Sequence, residues 1–146
     1  MRKISFLLLN VTLFFSCNKL KDYLPNPHSP LPQFNKVYGG SHNDEATTII
    51  VSKDGSYLFA GSTSSNDGDV SGNHGGQSDT WIMKVDKHGN KQWQQALGGS
   101  ELDDARAIIR NKDGGYVMAG YTTSADGDIS SSHGDGEAWI VTLEEH

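Results

Sequence analysis

The chain is short of the features that mark several large protein classes. Its one cysteine, Cys17, leaves no pair for an internal disulfide. Its four prolines all fall between Pro25 and Pro32. Its longest mostly apolar stretch, Ile4 to Phe15, is shorter than the ~20 residues a membrane-crossing helix needs. Basic residues are in deficit: 12 Lys and Arg stand against 18 Asp and Glu, for a formal net charge of −6. That balance argues against nucleic acid as a partner, because binding it needs a basic face to displace phosphate counterions. No G-x-S-x-G, no H-E-x-x-H and no phosphate-cradling glycine loop before a helix is present. Hydrophobic residues are 35%, below the roughly 45–50% of an average globular chain. A polytopic membrane protein, a coiled coil and a collagen are therefore set aside. Glycine is plentiful, at 17 of 146 residues, and aromatics at 9% argue against full disorder. Gly-rich turns with modest apolar content point to many short strands.

Residues 1–16 read as an address. Arg2 and Lys3 form a positive n-region, and Ile4 to Phe15 is the length of a signal-peptide core. Cys17 follows Phe14-Phe15-Ser16. This resembles a bacterial lipobox, with small Ser16 before the cysteine and Phe14 where leucine is usual. The resemblance implies that Cys17 is the lipidated N-terminus of a lipoprotein at the outer membrane or cell surface, with the periplasmic side also open. Buried acyl methylenes would hold it there at about 0.8 kcal/mol each. Loss of residues 1–16 removes Arg2 and Lys3 and takes the charge to −8. The lipid rather than the acidic surface would then do the anchoring. Residues 17–32 read as a tether, because the clustered prolines favour an extended, semi-rigid path.

An internal repeat fills the remainder, 33–146. Residues 33–75 align with 92–134 at an offset of 59, with 22 identities in 43 positions. Gly39-Gly40-Ser41 matches Gly98-Gly99-Ser100, Ile49-Ile50 matches Ile108-Ile109, and Asp67-Gly68-Asp69 matches Asp126-Gly127-Asp128. One deletion then brings Trp81-Ile82 onto Trp139-Ile140. The units run approximately 33–91 and 92–146. A fixed period of this size signals stacked supersecondary units.

The first unit predicts strands over Ala46–Ser52, Tyr57–Thr63, Thr80–Val85 and Lys91–Leu97. Asp54-Gly55 between two apolar runs is a hairpin signal, and Asp113-Gly114 repeats it. Helix propensity competes at Leu102–Asn111, but the β-branched counterpart Thr47–Val51 argues for a strand there too. Four strands per unit describe a propeller blade. The run G-G-S-x-x-D-x-A-x-x-I-I, then D-G-x-Y-x-x-A-G-x-T, then D-x-W-I-x-K-V-D-x-x-G-N-x-x-W resembles the bacterial seven-bladed β-propeller repeat (SBBP type). It is also similar to Gly/Asp-rich repeats of Bacteroidetes envelope proteins. The second copy departs at Thr142, where the first has Lys84. The resemblance implies an all-β fold of two four-stranded antiparallel propeller-type blades, an incomplete propeller.

Phe34 stands where Trp93 stands in the later copy, so Phe34–Tyr38 is expected as a fourth-type strand ahead of the first unit. Two blades cannot close a ring that takes 4–8. Apolar residues such as Ile50, Leu58 and Ile82 would then lie uncovered. A longer gene, self-assembly of several copies, or two sheets packed as a sandwich would each cover them.

Chemistry-bearing residues recur in the loops. Asp67, Asp69 and Ser71, with Asp126 and Asp128 in the second copy, resemble the opening of a calcium loop with oxygens at alternate positions. Ser78, not Glu, holds the twelfth position, and Asp/Gly turn chemistry explains the same residues. His74 and His133 could join those aspartates around zinc, or be solvated loop histidines. Trp81, Trp93 and Trp139 could stack on sugars or fill the space between sheets. Asp44 and Asp103, beside Glu45 and Asp104, could form acid–base pairs, but their recurrence in both units points to turns. The expectation is a non-enzymatic, lipid-anchored envelope module that presents rigid loops to a protein or glycan. Two alternatives are a portion of a glycan-processing enzyme and a calcium-dependent adhesion module.

Overall fold

A computed structural model describes residues 34–144. The leader, the tether and the lipidation candidate Cys17 lie outside the described residues. Seven strands follow in chain order: β1 (Asp44–Val51), β2 (Tyr57–Thr63), β3 (Asp79–Val85), β4 (Lys91–Leu97), β5 (Asp103–Arg110), β6 (Tyr116–Thr122) and β7 (Glu137–Leu143). They form two antiparallel meanders, β1-β2-β3-β4 (sheet 1) and β5-β6-β7 (sheet 2). The described residues contain no helix, and the segment with helical propensity is β5.

Local chemistry accounts for the meanders. Gly55 adopts φ +80°, and the Asp54 carboxylate accepts from the Ser56 amide (3.0 Å) and hydroxyl (2.6 Å), which closes the β1–β2 hairpin. Those bonds, with Lys84 nearby, hold the Asp54 carboxyl down to about 2. Both first strands carry a bulge at equivalent positions, with Thr47 and Arg106 as the extra residues. Beyond each bulge the alternation is re-set, so that Ile50 stands opposite Leu58 and Ile109 opposite Val117.

The two sheets stack. Leu58, Ala60, Ile82 and Leu97 of sheet 1 meet Ala105, Ile108, Tyr116 and Met118 of sheet 2 in one buried cluster, with Ile50, Trp93, Trp139, Val141 and Leu143 packed around it. Leu58 and Ile82 are fully buried, and each such side chain contributes about 1.5–3 kcal/mol through its removal from water. Polar bonds cross the same junction. Thr47 Oγ1 donates to Ala105 O (2.6 Å), Ser52 Oγ lies 2.6 Å from the Tyr116 hydroxyl, and the Asp103 amide donates to Ser78 O (2.7 Å). β5 makes the close backbone approaches to β1, β2 and β3, whereas β4 and β7 border a groove lined by Trp93, Leu97, Val141 and Leu143. The far face of sheet 1 carries a second cluster, Phe59, Val70, Trp81, Met83 and Val85, with Tyr38 and Tyr57 against it.

Two expectations need correction. The second sheet has three strands among the described residues, not four. Phe34–Tyr38 is not a strand; it lies against the far face of sheet 1, held by Phe34 on Tyr57, by Tyr38 on Phe59, and by Lys36 Nζ and Tyr38 OH donating to Gly89 O (2.8 and 2.7 Å). It has no strand edge beside it to complete a ladder. Of the ways foreseen to cover Leu58, Ile82 and Ile50, packing of one sheet on the other is the one seen: Leu58 and Ile82 are covered by sheet 2, and Ile50 is half-buried there. Val37 is 93% exposed, and Ile49, Val51, Ile109 and Ile140 are each just over 60% exposed.

Candidate functional site

The loops at one end of each sheet contain the loop aspartates, serine and histidines that the sequence singled out for chemistry. The organising groups are Asp44 and Asp103. Asp44 accepts from the Thr63 hydroxyl, the Gly40 amide (2.8 Å) and the Ser65 hydroxyl (2.9 Å). Asp103 accepts from the Thr122 hydroxyl, the Gly99 amide (2.8 Å) and the Ser124 hydroxyl (2.8 Å). Asp103 is fully buried, where a polar group needs such a donor set to replace its lost hydration. These acids build the turns, in keeping with their recurrence. Ser65 and Ser124 were missed as their partners, although they too repeat at the offset of 59.

The calcium candidates serve the same turns. Asp67 Oδ1 accepts from the Ser41 amide (2.8 Å), and Asp126 Oδ1 from the Ser100 amide (2.7 Å); these bonds, strengthened by the serine hydroxyls, lower both carboxyls. Asp69 accepts from the Gly39 amide (3.4 Å) and pairs with Lys91 Nζ (2.9 Å). Asp128 accepts from the Gly98 amide (3.1 Å). Ser71 Oγ accepts from Gln94 Nε2 (2.7 Å). Each Asp-Gly-Asp loop thus clamps the preceding Gly-Gly turn, and Asp69 N and Asp128 N also donate to Gly39 O and Gly98 O. Gly68 and Gly127 sit at φ +64° and +63° with those carbonyls against them, so both positions favour glycine twice over.

His74 is an exposed loop histidine, as expected, but it is paired. Its Nδ1 lies 2.7 Å from Asp79 Oδ2 and its Nε2 lies 3.6 Å from Asp128 Oδ2, so it joins the loops of both units. The hydrogen bond to Asp79 raises the His74 pKa, and burial raises that of Asp79. His133 is the solvated counterpart, 85% exposed, with Nδ1 3.1 Å from Glu137. Each histidine therefore pairs with the acid at the start of the next strand rather than with the two aspartates of its own loop. Among the described residues no group of three or more His, Cys, Asp or Glu converges as a metal cluster.

The tryptophans pack. Trp81 is buried against Phe59, with ring centroids 5.5 Å apart, and its Nε1 donates to Gln94 Oε1 (3.0 Å). Trp93 and Trp139 border the cluster between the sheets. Asp104, like Asp79, has its pKa raised by burial and its Oδ1 buried without a hydrogen-bond partner; its Oδ2 lies 2.7 Å from Arg106 Nη2.

One surface was not foreseen. An apolar groove crosses the far face of sheet 1, lined by Tyr38, Ala46, Ile49, Phe59 and Trp81. Its counterparts are Leu97 at the end of β4 and, in sheet 2, Ala105, Ile108, Met118 and Trp139, which form the surface that sheet 1 covers. The repeat carries no signal for the difference, since Ile49 is 62% exposed and its equivalent Ile108 is 4% exposed. No protein-family model matches the chain, and no curated protein matches it at a significant level.

Proposed function

We propose that this chain is a non-enzymatic binding and scaffold module built from propeller-type repeats and held at the cell envelope by lipid on Cys17. The observation that carries the reading is the use of the recurring acids. In both units the Asp44/Asp103 and Asp67/Asp126 carboxylates accept backbone amides of the Gly-Gly-Ser turns, which makes the loops rigid platforms. A protein or glycan then meets pre-ordered loops, with little ordering entropy to lose.

Bacteria fed an alkyne fatty acid test the anchor. The full chain is expected to take up label and sediment with envelopes, and Cys17→Ser to lose both. An unlabelled wild type, or label that survives Cys17→Ser, refutes the anchored reading. The environment of Asp104 favours a second reading, a portion of a glycan-processing enzyme, because a half-buried carboxyl with a raised pKa beside Glu45 is what an acid catalyst requires. Glycoside turnover by the full chain that is lost in Asp104→Asn would establish it.

A further inference from the structure

The two units differ in what covers them, and the difference is complementary. Sheet 1 presents Leu58, Ala60, Ile82 and Ile50 to sheet 2. Their equivalents on sheet 2 are Val117, Ala119, Ile140 and Ile109, all apolar, and they lie on its far face, where Ile109 and Ile140 are each 62% exposed. The surface that receives sheet 1 is Ala105, Ile108, Met118 and Trp139. Its equivalent is the open groove of Ala46, Ile49, Phe59 and Trp81. One molecule thus carries one formed junction and the two unmatched halves of a second.

The strand count fits the same scheme. β7 is the outermost strand of sheet 2 and has no partner on its outer edge among the described residues. Phe34–Tyr38 is equivalent to Trp93–Leu97, which is most of β4, and it precedes sheet 1 as β4 precedes sheet 2. Val37 is 93% exposed, whereas its equivalent Ala96 is 6% exposed because it pairs with Trp81. Val37 is therefore a strand residue without its sheet. An unpaired edge on one side and an unpaired extended segment on the other are the two parts of a strand addition.

We infer that copies of this chain associate head to tail, repeating between molecules the junction seen between sheets 1 and 2. The far face of sheet 2 in one copy covers the groove of sheet 1 in the next. The Phe34–Tyr38 segment of that next copy completes sheet 2 as its fourth strand. The β3–β4 register sets the pairing: Leu97 opposite Thr80 becomes Tyr38 opposite Ala138, and Gln95 opposite Ile82 becomes Lys36 opposite Ile140. Polar groups recur as well. Arg106 stands at the bulge in place of Thr47, still a donor, facing the counterpart of the carbonyl that Thr47 uses. His133 of one copy would meet Asp69 of the next, as His74 meets Asp128. Such a contact runs on as a filament or closes as a ring, and two copies, with four sheets between them, are the fewest that can close one.

This deepens the scaffold reading by naming its partner, and its test reads assembly whatever Cys17 carries. Full chain in mild detergent is sized by light scattering. Ile49→Glu and Ile140→Glu each change an exposed side chain, so both variants keep the wild-type circular dichroism spectrum. The wild type is expected to be a dimer or larger and each variant alone a monomer. An equimolar mixture of the two is expected to form dimers, since one intact junction remains. In a second arm, Lys36→Cys and Ile140→Cys chains are mixed and oxidised. A disulfide is expected in the mixture and in neither chain alone beyond the Cys17 background of the parent, because opposed strand residues bring their Cβ atoms within bridging reach. A monomeric wild type, association that survives Ile140→Glu, or a bridge within either single-variant sample overturns the proposal.

Discussion

Asp44 and Asp103 occupy the same place in the repeat and accept from the same three donor types, yet replacing them is expected to have unequal effects. Asp103 is fully buried, and its bond from the Gly99 amide is buried with it. Asp44 is half-buried, and its bond from the Gly40 amide is exposed. In Asp103→Ala, the Gly99 amide and the Thr122 and Ser124 hydroxyls lose a charged acceptor with no water to replace it. Each buried donor left unmade costs about 1–3 kcal/mol. The hydroxyls can turn toward other acceptors, so the total comes to about 3–5 kcal/mol. In Asp44→Ala water reaches the freed amide, and the expected cost is about 1–2 kcal/mol. Against a typical stability of about 5–15 kcal/mol, the first variant is near the limit of folding and the second is not. Urea unfolding followed by tryptophan fluorescence measures both. With slopes of about 1–3 kcal/mol per molar, central values put the midpoint of Asp103→Ala about 1 M below that of Asp44→Ala. Equal midpoints, or a larger drop for Asp44→Ala, would refute the argument that burial of the acceptor sets its worth.

Three further outcomes follow from the same loops. The raised His74 pKa means that its pairing stabilises in full below about 6.5 and is lost as pH rises through the folded-state value; the raised Asp79 pKa acts in the same direction at lower pH. Melting temperature should therefore fall from about pH 6 to about pH 9, with a shallower slope in His74→Gln, and parallel slopes would sink the assignment. Gly127→Ala forces a left-handed residue against Gly98 O and should cost about 1–3 kcal/mol in urea unfolding, whereas Gly134→Ala, with open space around it, should be near neutral. Calorimetry with calcium on the wild type and Asp67→Ala tests the adhesion alternative: heat in the first and none in the second supports it, and no heat in either removes it.

Much of the fold was legible before any coordinates. β2 and β4 fall on the expected residues, and β1, β3 and β5 within two residues at each end, because Asp-Gly and Gly-Asn turns punctuate runs of β-formers. The expectation that the recurring Asp44 and Asp103 build turns also stands, since identical acids in two copies have identical local partners. Phe34–Tyr38 misled because strand identity is not local: the same kind of residues that pair in β4 lie flat on Phe59 and Tyr57 when no edge is beside them. The bridging role of His74 was not foreseen because its second acid, Asp128, comes from the other unit, 54 positions along the chain.

The order of apolar, turn and acidic residues, written twice, was enough to determine an all-β chain with two similar units and the turns inside each. Strand period and turn preference act over a few residues, so a single unit contains all the information they need. Which side of each sheet is covered was decided only in three dimensions. Ile49 and Ile108 hold the same position in the repeat, yet one lies bare and the other is sealed, because burial depends on what a distant part of the chain brings alongside.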